Sequence, residues 1–396
     1  MSIQFAERTK SMKASALREL AKLTARPEVI SFAGGLPDSE LFPLEELAEA
    51  AQEVLKNHGR QALQYSSTEG YLPLRKHIVD FMHSTLYCSN IMPEDILIVN
   101  GSQQGLDFSA KIFVDPGSVV LTESPTYLGA INAFAAYQPL FVEVDSDKDG
   151  MIIDELLLKI EQYGDKIRYI YVIPDFQNPS CSTWSLERRQ ALLKVAKENN
   201  LIIVEDNPYG VLSFGEENLP SIYSLDKDEE KNVVFLGTFS KILCPGYRVG
   251  WVCTSQNMLS KYIFAKQTAD LQTNNASQWE ISYYLDKNSI HEHIKRLKAL
   301  YKHRSEVMVQ AMKTYFPSQV EFVVPQGGFF TWLTFPTNID TRELAIKCLE
   351  RNVAYVPGGA FFPNGGKENH ARLCYSYMPD EKIEEGIKIL GECLSM

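Results

Sequence analysis

Long apolar runs are missing from this chain, and no stretch of its 396 residues approaches the length of a membrane-spanning helix. Also missing is any paired-cysteine spacing. The seven cysteines, an odd number, are scattered, which reads as reduced thiols in a cytosolic protein rather than a disulfide framework. No cluster of His, Cys and carboxylate residues has ligand spacing, so no metal is expected. Basic charge is in deficit: a net charge of -11 argues against a nucleic-acid surface, although it identifies no substrate. Met1 to Leu23 carries Arg8, Lys10, Lys13, Arg18 and Lys22 beside Glu7 and Glu19, without the apolar core of a signal peptide. An ordered N-terminal arm and helix is expected there rather than a targeting sequence. These absences point to a cytoplasmic protein with neither a membrane nor a nucleic acid as partner. Apolar content of 45% and charged content of 22% are ordinary for a globular protein, and the length suits two domains or one large domain with an appendage.

What is present is organised around Val233-Val-Phe-Leu-Gly-Thr-Phe-Ser-Lys241-Ile-Leu-Cys-Pro-Gly-Tyr-Arg248. The β-branched and aromatic run from Val233 to Leu236 reads as a buried strand that delivers one lysine at its exit, with Arg248 seven residues on. Partial desolvation and the nearby guanidinium both favour a neutral amine at Lys241, the form that attacks a carbonyl. Thr238, Ser240 and Arg248 supply hydroxyls and a fork of donors suited to a phosphate. A phosphate beside an aldehyde-binding lysine suggests pyridoxal 5'-phosphate. Taken alone, the stretch also fits a lysine that merely snorkels to water.

The wider chain favours the first reading. Helical spacing predicts helices over Ala14 to Leu23, Leu44 to Lys56 and Leu72 to Ser84, with a glycine loop Ile30 to Pro37 and a polar loop Tyr65 to Tyr71 between them. From Ile96 onward strand and helix alternate: strands at Ile96 to Val99, Val119 to Thr122, Phe141 to Val144, Ile167 to Ile173 and Leu201 to Val204, and helices at Tyr127 to Tyr137, Ile153 to Glu161 and Leu186 to Asn199. Alternation of this kind means a mostly parallel sheet covered on both faces, with its ligand site beyond the carboxyl ends of the strands. Those ends carry Ser102 and Gln103, Tyr127, Asn178, Asp206 with Tyr209, and Lys241. Each has an innocent role in isolation: a helix cap, a core ring, a turn. Their joint placement at successive strand ends is what points to a site.

With those residues the chain resembles a fold-type I pyridoxal-phosphate-dependent aminotransferase of class I/II, along nearly its whole length. Ser31-Phe-Ala-Gly-Gly-Leu-Pro37, Gln64-Tyr-Ser-Ser-Thr-Glu-Gly-Tyr71 and Val356-Pro-Gly-Gly359 are most similar to the branch of 2-aminoadipate and kynurenine aminotransferases. The resemblance implies an α/β fold with a seven-stranded, mostly parallel sheet in a large cofactor-binding domain, 46–285. A small α+β domain, 286–396, would be joined by the N-terminal arm and helix, 1–45. It implies catalytic roles for Lys241, the Schiff-base lysine, for Asp206, which pairs with the pyridine nitrogen, and for Tyr127, stacked on the ring. Asn178 and Tyr209 would bond the cofactor's phenolic oxygen. Ser102, Gln103, Thr238, Ser240 and Arg248 would cradle its phosphate, and Tyr65 would reach the phosphate of the neighbouring subunit of a homodimer. Arg372 would clamp the substrate α-carboxylate, with Asn178 and Gly35 beside it, and Arg18 would meet a distal carboxylate. Ser180-Cys181 and Asn207 depart from the usual Thr-Gly and Asp, which bears on substrate preference.

The activity implied is ping-pong transfer of an amino group between an L-amino acid and a 2-oxo acid, most often 2-oxoglutarate. Two alternatives share the fold: another cofactor-dependent reaction such as C–S lysis or decarboxylation, and a sensor domain of bacterial transcription regulators. The second alternative requires an N-terminal DNA-binding domain, and the thirty residues before Ser31 are too few for one.

Overall fold

A computed structural model describes residues 3–11 and 26–394. The helix expected over Ala14 to Leu23, and Arg18 with it, lies outside the described residues. The largest sheet has the strand order Ile96–Val99, Gly250–Cys253, Val233–Thr238, Ile202–Asp206, Ile167–Val172, Val119–Ser124, Leu140–Asp147 and Gly150–Met151. From Val233–Thr238 across to Leu140–Asp147 every pairing is parallel. Gly250–Cys253 is antiparallel to both of its neighbours. Seven main strands are thus present, and a two-residue hairpin strand, Gly150–Met151, adds an eighth at the edge.

The central strands read as unbroken apolar runs because both faces are covered. Alternate residues enter separate cores. Ile96, Ile98, Leu121, Ile170, Ile203 and Phe235 face one; Leu97, Val99, Val120, Tyr171, Val204 and Leu236 face the other. Helices Leu72–Leu86 and Leu186–Glu198 close the first face through Leu74, Ile78, Leu192 and Ala196. Helices Ser102–Phe113, Leu128–Ala135 and Gln256–Ala269 close the second through Leu106, Phe134 and Leu259. Two tyrosines, Tyr169 and Tyr171, therefore stand on the second face of one strand.

A separate four-stranded antiparallel sheet runs Glu321–Phe322, Phe330–Thr334, His370–Cys374, Val356–Pro357. Long helices Ile290–Tyr315 and Asp380–Leu394 pack on one another nearby. The stretch from Val353 to Phe361 is divided among three pieces. Val353–Ala354 pairs with Ile30–Ser31, Val356–Pro357 pairs with His370–Cys374, and Gly358–Phe361 closes into a 3-10 turn. The split ties the Ile30 segment to this part of the chain. The helix after Tyr127 is also shorter than expected, Leu128–Ala135, which leaves Tyr127 as its N-cap residue. No described helix is long and apolar enough to cross a membrane.

Candidate active site

Beyond the carboxyl ends of the parallel strands lies a cavity of about 770 Å³. Ser102, Gln103, Tyr127, Asn178, Asp206, Tyr209, Thr238, Ser240, Lys241, Arg248, Arg372 and Gly35 all line it. Tyr65 does not. It is 79% exposed and borders a shallow groove with Trp279 and Asn275.

One end of the cavity is built for an anion. Gly101 turns at φ 70°, and the helix Ser102–Phe113 begins directly after it, so the start of a helix, where N–H groups lack intrahelical partners, borders the cavity at Ser102 and Gln103. A Cβ on Gly101 would come within 2.6 Å of Arg248 Nη2, so only glycine lets the guanidinium lie against this turn. Arg248 donates from Nη1 to Ser240 Oγ at 3.3 Å, and the Thr238 hydroxyl donates to Ser240 Oγ at 2.9 Å. Gln103 Nε2 donates to Gly129 O at 2.9 Å. Gly129 in turn leaves room for the Tyr127 ring, which a Cβ there would meet at 2.4 Å.

The floor holds the titratable groups. Asp206 ends the strand Ile202–Asp206 and is 2% exposed. Its Oδ2 accepts from the Tyr171 hydroxyl at 2.9 Å, while its Oδ1 is buried without a hydrogen-bond partner among the described residues. Burial pushes this carboxyl up to about 7, against the opposing pull of the Tyr171 hydrogen bond and the Lys241 charge. Lys241 follows the strand Val233–Thr238 and donates from Nζ to Gly35 O at 2.6 Å. It is half-buried because it opens onto the cavity, yet protein encloses it on the other sides. This desolvation, joined by the positive charges of Arg372 and Arg248, pushes its ammonium down to about 8. Tyr209 stands edge-on to Phe330, with centroids 5.8 Å apart.

The wall opposite comes from the antiparallel sheet. Arg372 sits at the middle of His370–Cys374 and is 2% exposed. Its Nη1 donates to Asn178 Oδ1 at 2.9 Å and its Nη2 to Ala33 O at 2.7 Å. The guanidinium carbon lies 4.2 Å from the centroid of Phe330 and 5.2 Å from that of Phe361. Its Nε has no partner among the described residues. The Ile30 to Pro37 loop, the large sheet and the antiparallel sheet therefore meet at one guanidinium.

Sequence reasoning did not find Tyr171, Phe330 or Phe361. Strand alternation places Tyr171 on the correct face, but nothing local to it signals a contact with a residue of the next strand.

Residues 27–390 match the family model described as aminotransferase class I and II. An aromatic-amino-acid aminotransferase 1 of Thermococcus litoralis is 43% identical over 98% of this chain and 94% of its own length. A 2-aminoadipate transaminase of Thermus thermophilus is 42% identical over 97% of this chain and 94% of its own length. Among solved structures, an alpha-aminoadipate aminotransferase from Thermus thermophilus, complexed with N-(5'-phosphopyridoxyl)-L-leucine, matches with a TM-score of 0.92 at 40% identity. That match covers 99% of this chain and 97% of the other.

Proposed function

This chain belongs to the class I and II aminotransferase family, and from that premise we propose that it moves the amino group of acidic, aromatic and aliphatic L-amino acids to 2-oxoglutarate by a ping-pong sequence. The enzyme depends on pyridoxal 5'-phosphate, which condenses with primary amines and draws electrons away from the carbon beside the nitrogen. The cavity fits that cofactor by its chemistry. An anion end, a half-buried ring at Tyr127, and a buried carboxylate oxygen on Asp206 without a partner are what a phosphate, an aromatic face and a protonated ring nitrogen need.

In this reading Ser102, Gln103, Thr238, Ser240 and Arg248 hold the phosphate, and Asp206 holds the ring nitrogen. Asn178 and Tyr209 orient the phenolic oxygen, Tyr127 covers the ring, and Lys241 holds the aldehyde carbon. Tyr65 contributes across the interface of a homodimer. Arg372 takes the substrate α-carboxylate, its fork aligned by Asn178 and Ala33 and its faces shielded from water by Phe330 and Phe361. With the cofactor bound, Lys241 Nζ would hold it and would be the base placed to take the substrate Cα proton. Gly35 O accepts a hydrogen bond from that amine at 2.6 Å. The observation that carries the reading is the meeting of Lys241, the unpartnered oxygen of Asp206 and Arg372 in one cavity.

The test is spectroscopic. The visible band of the purified holoenzyme is expected to disappear with glutamate and return with 2-oxoglutarate, and the same cycle is expected with 2-aminoadipate, phenylalanine and leucine. Release of pyruvate and ammonia without any acceptor would overturn the assignment in favour of C–S lysis.

A pH dependence follows from Lys241. Its amine becomes neutral, and so nucleophilic, as pH rises through about 8. The rate at which the apo-protein captures added pyridoxal 5'-phosphate is therefore expected to climb toward pH 8 and level off beyond it. A rate still rising steeply toward pH 10, as for an ordinary lysine, contradicts the assignment of that environment.

A further inference from the structure

Resting on the placement of the cofactor's ring nitrogen at Asp206, we propose that Tyr171 is a positioning residue that keeps the Asp206 carboxylate ionised and turned so that the shared proton rests on the ring nitrogen. Among the described residues, Tyr171 is the one hydrogen-bond donor to the Asp206 side chain, at 2.9 Å to Oδ2. Its partner strand explains the geometry. Tyr171 stands opposite Val204, and Asp206 lies two residues further along that same strand, on the same face. The tyrosine thus approaches Asp206 from the core side and engages Oδ2, while Oδ1 has no partner among the described residues and the residue itself borders the cavity.

The ring itself cannot turn away. Tyr171 is fully buried, and Phe134 meets it edge-on with centroids 5.3 Å apart at 83°. Burial and the neighbouring Asp206 hold its hydroxyl well above the ordinary tyrosine range, so it remains a donor at every physiological pH. Lys241 and Tyr127 also act on Asp206 through space, but neither hydrogen-bonds to it. A hydrogen bond donated to a buried carboxylate favours its charged form. Its loss is expected to raise the proton affinity of Asp206 by about 10- to 100-fold. Oδ1 would then compete with the ring nitrogen for the one proton, and the electron-withdrawing form of the ring would be depleted. A tyrosine that only filled the core would leave that proton where it was.

The experiment compares wild-type holoenzyme with Tyr171→Phe, which keeps the ring and its packing, after loading both with pyridoxal 5'-phosphate labelled with ¹⁵N in the ring. The wild type is expected to give the ¹⁵N resonance of a protonated ring nitrogen. Y171F is expected to shift toward the unprotonated position and to lose about 10- to 100-fold in kcat with a smaller change in KM. A Y171F resonance equal to that of a protonated wild type overturns the proposal and leaves the Asp206 pairing standing. An unprotonated ring nitrogen in both proteins overturns the pairing itself and the proposal with it.

Discussion

Lys241→Ala is expected to lower kcat by roughly 10⁴-fold or more, because one substitution removes both the amine that holds the cofactor and the base that moves the Cα proton. The protein should still fold. Lys241 follows its strand and contributes one hydrogen bond, to Gly35 O, so thermal unfolding of the apo-variant is expected to stay near that of the wild-type apo-protein. It should also still take up pyridoxal 5'-phosphate, since the anion end and Asp206 are untouched. The variant's bound cofactor would absorb as a free aldehyde. Single-turnover kinetics with glutamate read the loss directly, and normal turnover by K241A would remove Lys241 from the chemistry. Added methylamine offers a further check: partial rescue shows that the missing group is an amine in that space rather than a structural contact.

Arg372→Lys is expected to cost about 2–5 kcal/mol of transition-state stabilisation, roughly 30- to 4,000-fold in kcat/KM, with the loss lying mainly in KM for both amino acid and oxo acid. The reason is geometric. Arg372 uses two nitrogens on Asn178 Oδ1 and Ala33 O, which fix the plane of its fork where the residue lines the cavity. A lysine ammonium offers a point charge and cannot satisfy both partners and a bidentate carboxylate at once. It also lacks the planar stacking on Phe330, where the guanidinium carbon lies 4.2 Å from the ring centroid. Steady-state kinetics with an α-amino acid and with the matching decarboxylated amine separate the effects. The penalty should be large for the acid and small for the amine; an equal penalty on both would mean that Arg372 does not bind the carboxylate.

The two variants also differ in how far each residue could be understood from the chain alone. Lys241 was legible. An apolar run that fills a doubly covered strand must end at the sheet's carboxyl edge; a lysine placed there fits a snorkelling side chain as well as a site, and the chemistry-bearing residues at the other strand ends favour the site. The same logic located Asp206 and the Ser102 turn, because strand alternation and helix starts are written in local periodicity, and periodicity follows from which face is dry. Sequence pattern likewise determined that the main sheet is mostly parallel and covered on both faces.

Tertiary structure decided the rest. That Arg372, 131 residues beyond Lys241 in the sequence, shares its cavity depends on the antiparallel sheet being brought against the large one; the Ile30 to Pro37 segment bridges them, pairing with Val353–Ala354, accepting from Arg372 at Ala33 O and from Lys241 at Gly35 O. No local propensity encodes such a pairing. The partnership of Tyr171 with Asp206 is of the same kind. Alternation assigns each residue a face, but the register between two strands, which decides whose hydroxyl meets whose carboxylate, is set by how all the side chains of the buried sheet pack together.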